Sequence, residues 1–217
     1  MIKANHKSWA RFLYDIYIPG LVKKNFSGMY LSNLMPEIPE DKSLLVTPNH
    51  ISWWDGFFVD MLLTKKTGKK IHLMMLEKEL SKFHFFSKVG AYSIRQEDIG
   101  SVRETTLYTR EILSSGSNYC IIYPQGEILP FEIPSPSIKP GIRLILNGVE
   151  NSMVLPLIFK IQYDNKKYPY VIARFGELLD SQLIVKNFVD YENIFKNTRD
   201  DLNNFIFEKK TPVWKVF

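Results

Sequence analysis

The sequence predicts an α/β fold: a mostly parallel sheet flanked by helices, preceded by an N-terminal amphipathic helical segment. Three observations lead there. Short β-type apolar runs alternate with stretches of helical period, the pattern of a chain that crosses over a parallel sheet. Hydrophobic residues make up 45% of the 217 residues and aromatics 14%, enough for a sizeable core. The length suits one domain with an appendage, divided here as residues 1–35, the N-terminal segment, and 36–217, the α/β domain.

Within residues 5–18, Trp9, Phe12, Leu13, Ile16 and Tyr17 fall on one stripe of a 3.6-residue period, with Lys7, Arg11 and Asp15 opposite. Pro19-Gly20 is expected to end this helix. A second apolar segment, Leu21 to Leu31, reads as its helical partner. The stripe suits a helix packed on the core, an interfacial anchor, or both. After Pro36 and Pro39 the β runs begin, at 43–47, 71–76, 92–94, 119–123, 153–161 and 170–175. Helical stretches lie near 54–66, 77–88, 101–115 and 139–150, with one more at 187–210. Ser101-x-x-Glu104 has the spacing of a capping box. The tail after residue 210 carries no pattern.

The net charge of +5 is unevenly spread. Residues 1–30 carry five Lys or Arg against Asp15 alone, and residues 64–88 carry seven Lys against Glu77 and Glu79. Such clustering points to an anionic partner. The lysine-rich 64–70 loop lacks interleaved aromatics or a recognition motif, so nucleic acid is not expected. No apolar run approaches the roughly 20 residues that span a bilayer, and no signal peptide is legible. The expected location is cytoplasmic and peripheral, on the inner face of the membrane. Cys120 is the only cysteine, which rules out an internal disulfide and any multi-Cys metal site. No metal-ligand spacing, P-loop or Gly-x-Gly-x-x-Gly is present. His72, inside a β run, reads as structural, and His84, in an aromatic-rich helix end, as packing or membrane contact.

In α/β folds the chemistry gathers at the carboxyl ends of the strands. The first β run ends in Thr47-Pro48-Asn49-His50, and Asp55 follows five residues after His50. A histidine there can project into a cleft. An aspartate one turn on can bind one ring nitrogen, fix the tautomer and leave the other nitrogen as a general base. The 119–123 run ends in Tyr123-Pro124-Gln125-Gly126-Glu127. A Pro-x-Gly turn exposes backbone N–H groups suited to an oxyanion or phosphate.

Together these blocks resemble the phospholipid/glycerol acyltransferase family, the lysophospholipid acyltransferases. The family's Asn-His-x-x-x-x-Asp motif is matched by Asn49, His50 and Asp55, and its Phe-Pro-Glu-Gly-Thr-Arg-type motif is similar to residues 123–127. Gly90 to Arg95 resembles its Gly-rich segment ending in Arg. Lys139-Pro140-Gly141 and Val154-Leu155-Pro156-Leu157 resemble its later blocks, so the likeness covers about residues 44–158. The resemblance implies O-acyl transfer in phospholipid biosynthesis, from acyl-CoA or acyl carrier protein as co-substrate to a lipid hydroxyl, with no resident cofactor or metal. It implies His50 and Asp55 as catalytic. Asn49, Arg95, Pro124, Gln125, Gly126, Glu127 and Lys139 are implied as substrate-binding, with the N–H groups near Gly126 meeting the oxyanion. Three departures stand out: Gln125 replaces Glu, Glu127 replaces Thr, and Ile128-Leu129 stand where an Arg usually follows. Losing a cation and gaining a carboxylate weakens a phosphate site, so the acceptor is expected to be a lipid or glycolipid hydroxyl other than plain glycerol phosphate. Two other readings fit the same residues: an inactive lipid-surface binding protein of this fold, and a lipid ester hydrolase with water as acceptor.

Overall fold

A computed structural model describes residues 1–133 and 136–217. Its strands are β1 Gly28–Leu31, β2 Ser43–Pro48, β3 Lys70–Leu76, β4 Ala91–Ile94, β5 Asn118–Ile121, β6 Ser152–Gln162, β7 Tyr170–Phe175, β8 Leu179–Asp180 and β9 Trp214–Lys215. They form one sheet in the order β4-β3-β5-β2-β6-β7-β1-β9, with β8 beside β6. From β4 to β6 the pairing is parallel. β7 returns antiparallel to β6, β1 lies parallel to β7, and β9 closes the far edge antiparallel to β1. The helices are α1 Ser8–Asn25, α2 Asp55–Thr67, α3 Glu77–Lys82, α4 Ile99–Leu113, α5 Gly141–Leu146, α6 Ser181–Lys186 and α7 Phe188–Phe207. The mixed α/β architecture expected from the alternating runs is the one observed.

All six residues of β2 are buried, as a central strand covered on both faces requires. Side chains alternate across the sheet. Leu44 and Val46 join Tyr119 and Ile121 under α1 and α2. Leu45 and Cys120 turn to the other face, under α4, α5 and α7. The site at the carboxyl ends of β2 and β5 therefore rests on two cores that share one backbone layer.

Several elements depart from the sequence reading. α1 runs through Pro19 rather than ending there. Proline removes one donor, but Asp15, whose carbonyl loses its partner, is exposed, while Ile18 and Val22 are buried and hold the helix to the core. The segment 21–31 is not a second helix: its first part completes α1 and residues 28–31 form β1. The buried face of α1 is Ala10, Tyr14, Ile18 and Val22. Trp9, Phe12, Leu13, Ile16 and Tyr17 face outward, each more than half exposed. The expected helix at 77–88 divides at Phe83 into α3 and a 3₁₀ turn, His84–Val89. The expected 139–150 helix is only α5, and the C-terminal one is α6 and α7 broken at Asn187. The Ser101–Glu104 capping box does not form. Asp98 caps α4 by accepting from the N–H groups of Gly100 and Ser101, which leaves the Ser101 hydroxyl to accept from Arg95 N. The tail contributes β9.

Gly90 links the 3₁₀ turn to β4 with φ of 115°. A Cβ there would lie 2.3 Å from the Ile71 carbonyl oxygen and 2.7 Å from the His6 ring. Gly90→Ala is expected to destabilise the fold by about 1–3 kcal/mol. Gly20→Ala, inside α1 with nothing within 4 Å, is expected to gain about 0.5–1 kcal/mol. Urea denaturation of the two variants measures both signs.

Candidate active site

β2 ends in Pro48, which has no N–H to continue its ladder. Asn49 continues it by other means. Its backbone N–H donates to the Leu157 carbonyl at 3.0 Å. Its side-chain amide donates to the Phe159 carbonyl at 2.9 Å and accepts from Phe159 N at 2.7 Å. Asn49 is buried, with both ends of the amide used against β6, so it pins the backbone that presents His50.

The next residue is held from the opposite side. His50 N donates to Gln125 Oε1 at 2.6 Å, and Leu129 N donates to the His50 carbonyl at 2.9 Å. An amide oxygen accepts the first bond as a carboxylate would, so Gln125 keeps that contact while giving up a charge. Gln125 is buried beneath the turn and binds the protein's own backbone. The 124–129 turn thus clasps His50 to the end of β5.

His50 Nδ1 lies 2.9 Å from Asp55 Oδ2, which also accepts from Ile51 N at 2.8 Å and Ser52 N at 2.9 Å. Ser52 Oγ donates to Asp55 Oδ1 at 2.6 Å. Asp55 is fully buried and opens α2, where the helix dipole favours a negative charge. The Tyr123 ring stacks on the His50 imidazole, centroids 3.8 Å apart and planes 13° from parallel. Burial, then the Asp55 charge, holds the Tyr123 phenol well above its ordinary pKa, so it stays neutral. With Nδ1 turned to Asp55 and one ring face covered, Nε2 is the nitrogen left for a reactant.

His50 opens onto a cavity of about 470 Å³. Leu73, Phe57, Phe86, Val89 and Ile122 line its apolar length. Glu79, Gln96 and Glu127, each beyond the carboxyl end of a strand, line the end beside His50. Gly126 has φ of 76°, and its own N–H closes the turn onto the Tyr123 carbonyl at 3.1 Å. The N–H groups of Glu127 and Ile128, next along the turn, have no hydrogen-bond partner among the described residues. Lys139 lies across Gly126, where a Cβ would meet its Nζ at 2.6 Å, and donates to Gln96 Oε1 at 3.4 Å. Pro124 is buried at the start of the turn.

Of the residues singled out in the sequence, Asn49, His50, Asp55, Pro124, Gln125, Gly126, Glu127 and Lys139 come together. Arg95 stands apart: it pairs with Glu77 at 3.0 Å and Asp98 at 2.7 Å on the surface, one residue before Gln96. His72 is buried in β3, where burial and then the Lys70 charge push it down to about 4. Cys120 is fully buried, and burial pushes its thiol up. Among the described residues no three His, Cys, Asp or Glu side chains converge as a metal site. Sequence reasoning passed over Ser52 and Tyr123. Ser52-x-x-Asp55 has the spacing of a local side-chain-to-backbone motif, so it was findable. The Tyr123 stacking joins two strands and had no local signal.

A family model described as Acyltransferase matches residues 33–143, more than half of the chain. The chain belongs to that acyltransferase family. The match contains His50, Asp55, Arg95, the 124–129 turn and Lys139, and leaves α1 outside. Among solved structures, the fold resembles the crystal structure of PlsC, the 1-acyl-sn-glycerophosphate (LPA) acyltransferase of Thermotoga maritima. The TM-score is 0.61 at 15% identity, over 88% of this chain and 78% of that one. No curated protein matches the sequence significantly.

The geometry sets the His50 tautomer: Nδ1 carries the proton when the ring is neutral, because Asp55 can only accept. Heteronuclear NMR of the ring nitrogens is expected to show Nδ1–H and bare Nε2 in wild type, and loss of that preference in Asp55→Asn. A protonated Nε2 in the neutral wild-type ring would contradict the arrangement.

Proposed function

We propose that this acyltransferase moves a fatty acyl group from a thioester, acyl-CoA or acyl carrier protein, to a hydroxyl of a lipid or glycolipid acceptor. The observation that carries the reading is the position of His50, backed by a buried carboxylate and facing a largely apolar cavity. In the proposed reaction Nε2 takes the proton of the acceptor hydroxyl. The oxygen attacks the thioester carbonyl as Asp55 stabilises the imidazolium. The N–H groups of Glu127 and Ile128 stabilise the tetrahedral oxyanion. The C–S bond then breaks, and the thiolate recovers the proton from His50. The acyl chain occupies the cavity. Lys139 meets phosphate on the donor.

The cavity end beside His50 favours an acceptor without a phosphomonoester. Glu79, Gln96 and Glu127 line it, and Lys139 is turned across Gly126 to Gln96. Thiol release from acyl-CoA with a panel of acceptors tests both parts. Wild type is expected to acylate neutral or sugar-bearing hydroxyl lipids with higher kcat/KM than lysophosphatidate. His50→Ala is expected to lose about 10²–10⁴ in kcat while remaining folded. A folded His50→Ala that keeps a tenth of wild-type kcat would remove His50 from the mechanism. Lysophosphatidate as best acceptor would reverse the substrate assignment.

The reading includes peripheral attachment to the cytoplasmic face of a membrane. Among the described residues no helix is long and apolar enough to cross one. The outward stripe of α1 meets Phe85 through Trp9 at 6.3 Å between centroids, and Phe83 meets Trp53 at 6.3 Å beside the cavity. Lys7, Lys23, Lys24 and Lys82 are exposed on the same elements or next to them. Apolar insertion and roughly 1 kcal/mol per Lys or Arg near an anionic surface act together. Wild type is expected to float with anionic vesicles and to be released as salt rises. Trp9→Glu with Phe12→Glu is expected to stay soluble, folded and unbound. Wild type that ignores anionic vesicles at low salt would end this part of the proposal.

A further inference from the structure

The cavity holds one anomaly: a guanidinium in an apolar wall. Arg11 and Tyr14, both from α1, line it. Arg11 donates to Asp60 through Nη1 at 3.0 Å and Nη2 at 2.9 Å, a bidentate pair joining α1 to α2. Asp60 is buried and also accepts from the Thr64 hydroxyl, which in turn accepts from the Tyr119 hydroxyl at 2.6 Å. Arg11 further bonds Asp15 at 2.6 Å, and its guanidinium lies 5.0 Å from the centre of the Tyr14 ring. Burial works against the Arg11 charge, but the hydrogen bonds to Asp15 and Asp60 outweigh it and raise its pKa above the ordinary value.

The pair sits at the end remote from His50. Tyr119, bonded to this cluster, is the register partner of Ile71 near the amino end of β3. Tyr123, stacked on His50, is four residues further along the same strand direction. Four extended residues span about 13 Å. Between these ends the cavity runs past Leu73, Phe57 and Val89.

We propose that the Arg11–Asp60 ion pair is the end wall of the acyl site and sets the longest acyl chain the enzyme accepts. The inference rests on the cavity being that site. A chain growing from the carbonyl at His50 gains about fourfold in affinity with each methylene buried. At the ion pair the gain stops. One more methylene would have to separate two buried charges or strip their hydrogen bonds, and neither is repaid by apolar contact. Four anchors hold Arg11 and Asp60, so the wall does not yield as a lone side chain would. Arg11 lies outside the residues that match the family model. The chemistry thus comes from the family core, and the length limit from a pair that ties the preceding helix to that core.

The test is competition among saturated acyl-CoAs of graded length, with products measured by mass spectrometry. Arg11→Met with Asp60→Leu removes both charges together, so neither is left unpaired. Its optimum is expected to move at least two carbons longer than wild type, with at least tenfold better use of donors just beyond the wild-type limit. Leu73→Trp, filling the middle of the cavity, is expected to move the optimum shorter. If Leu73→Trp shortens the profile and the double variant leaves it unchanged, the end-wall assignment is overturned while the acyl site stands. If Leu73→Trp is active with an unchanged profile, the cavity is not the acyl site and both fall. Should the double variant lose its circular dichroism signature, Arg11→Lys decides. It keeps a cation opposite Asp60 with a slimmer head, and an unmoved optimum in that folded variant overturns the proposal.

Discussion

The Asp55 carboxylate is fully buried and accepts four hydrogen bonds, from the His50 ring, two consecutive backbone N–H groups and the Ser52 hydroxyl. A charge taken out of water survives only when such partners replace its hydration. Those partners are the turn between β2 and α2, so satisfying one charge folds the loop, starts the helix and orients the imidazole together. Because Asp55 is the first residue of α2, any shift of that helix on the sheet would move His50 as well.

The rest of the site closes around this point from the neighbouring strands. β6 holds Asn49, and the turn after β5 holds the backbone of His50 and lays Tyr123 against its ring. His50 is thus fixed by Asp55, by the turn after β5 and, through Asn49, by β6, which leaves Nε2 and the cavity as the free direction. A base held this way needs little reorganisation when a proton moves. The second buried carboxylate of α2, Asp60, is satisfied from α1 instead. One helix therefore carries both an anchor for the reactive histidine and an anchor for the helix that bounds the far end of the cavity.

Much of this was legible residue by residue. Strands at 71–76 and 170–175 are seen within a residue of their predicted bounds; the second is a β-branched and aromatic run between Pro169 and Gly176, a pattern that admits few other readings. The His50–Asp55 pair was legible from its place after a β run together with the order of the motif blocks, and a loop of five residues limits where its ends can lie. Arg95 shows the opposite case. Its place in a motif suggested a ligand cation, but Glu77 from α3 and Asp98 from the next loop already neutralise it. The helix expected to stop at Pro19 continues because burial of Ile18 and Val22 outweighs one lost hydrogen bond.

What the sequence alone determined are properties carried by neighbours in the chain: alternation of strands and helices, the order of the motif blocks, the pairing of His50 with Asp55, and the apolar stripe of α1. Periodicity and short loops impose these before any long-range contact forms. Tertiary structure alone decided which face of α1 is buried, that residues 28–31 and the tail pair as strands, that Gln125 and Asn49 serve the backbone, and that Arg11 reaches Asp60. Each depends on groups 30 or more residues apart meeting in the folded chain, and a local pattern cannot encode a partner so distant in sequence.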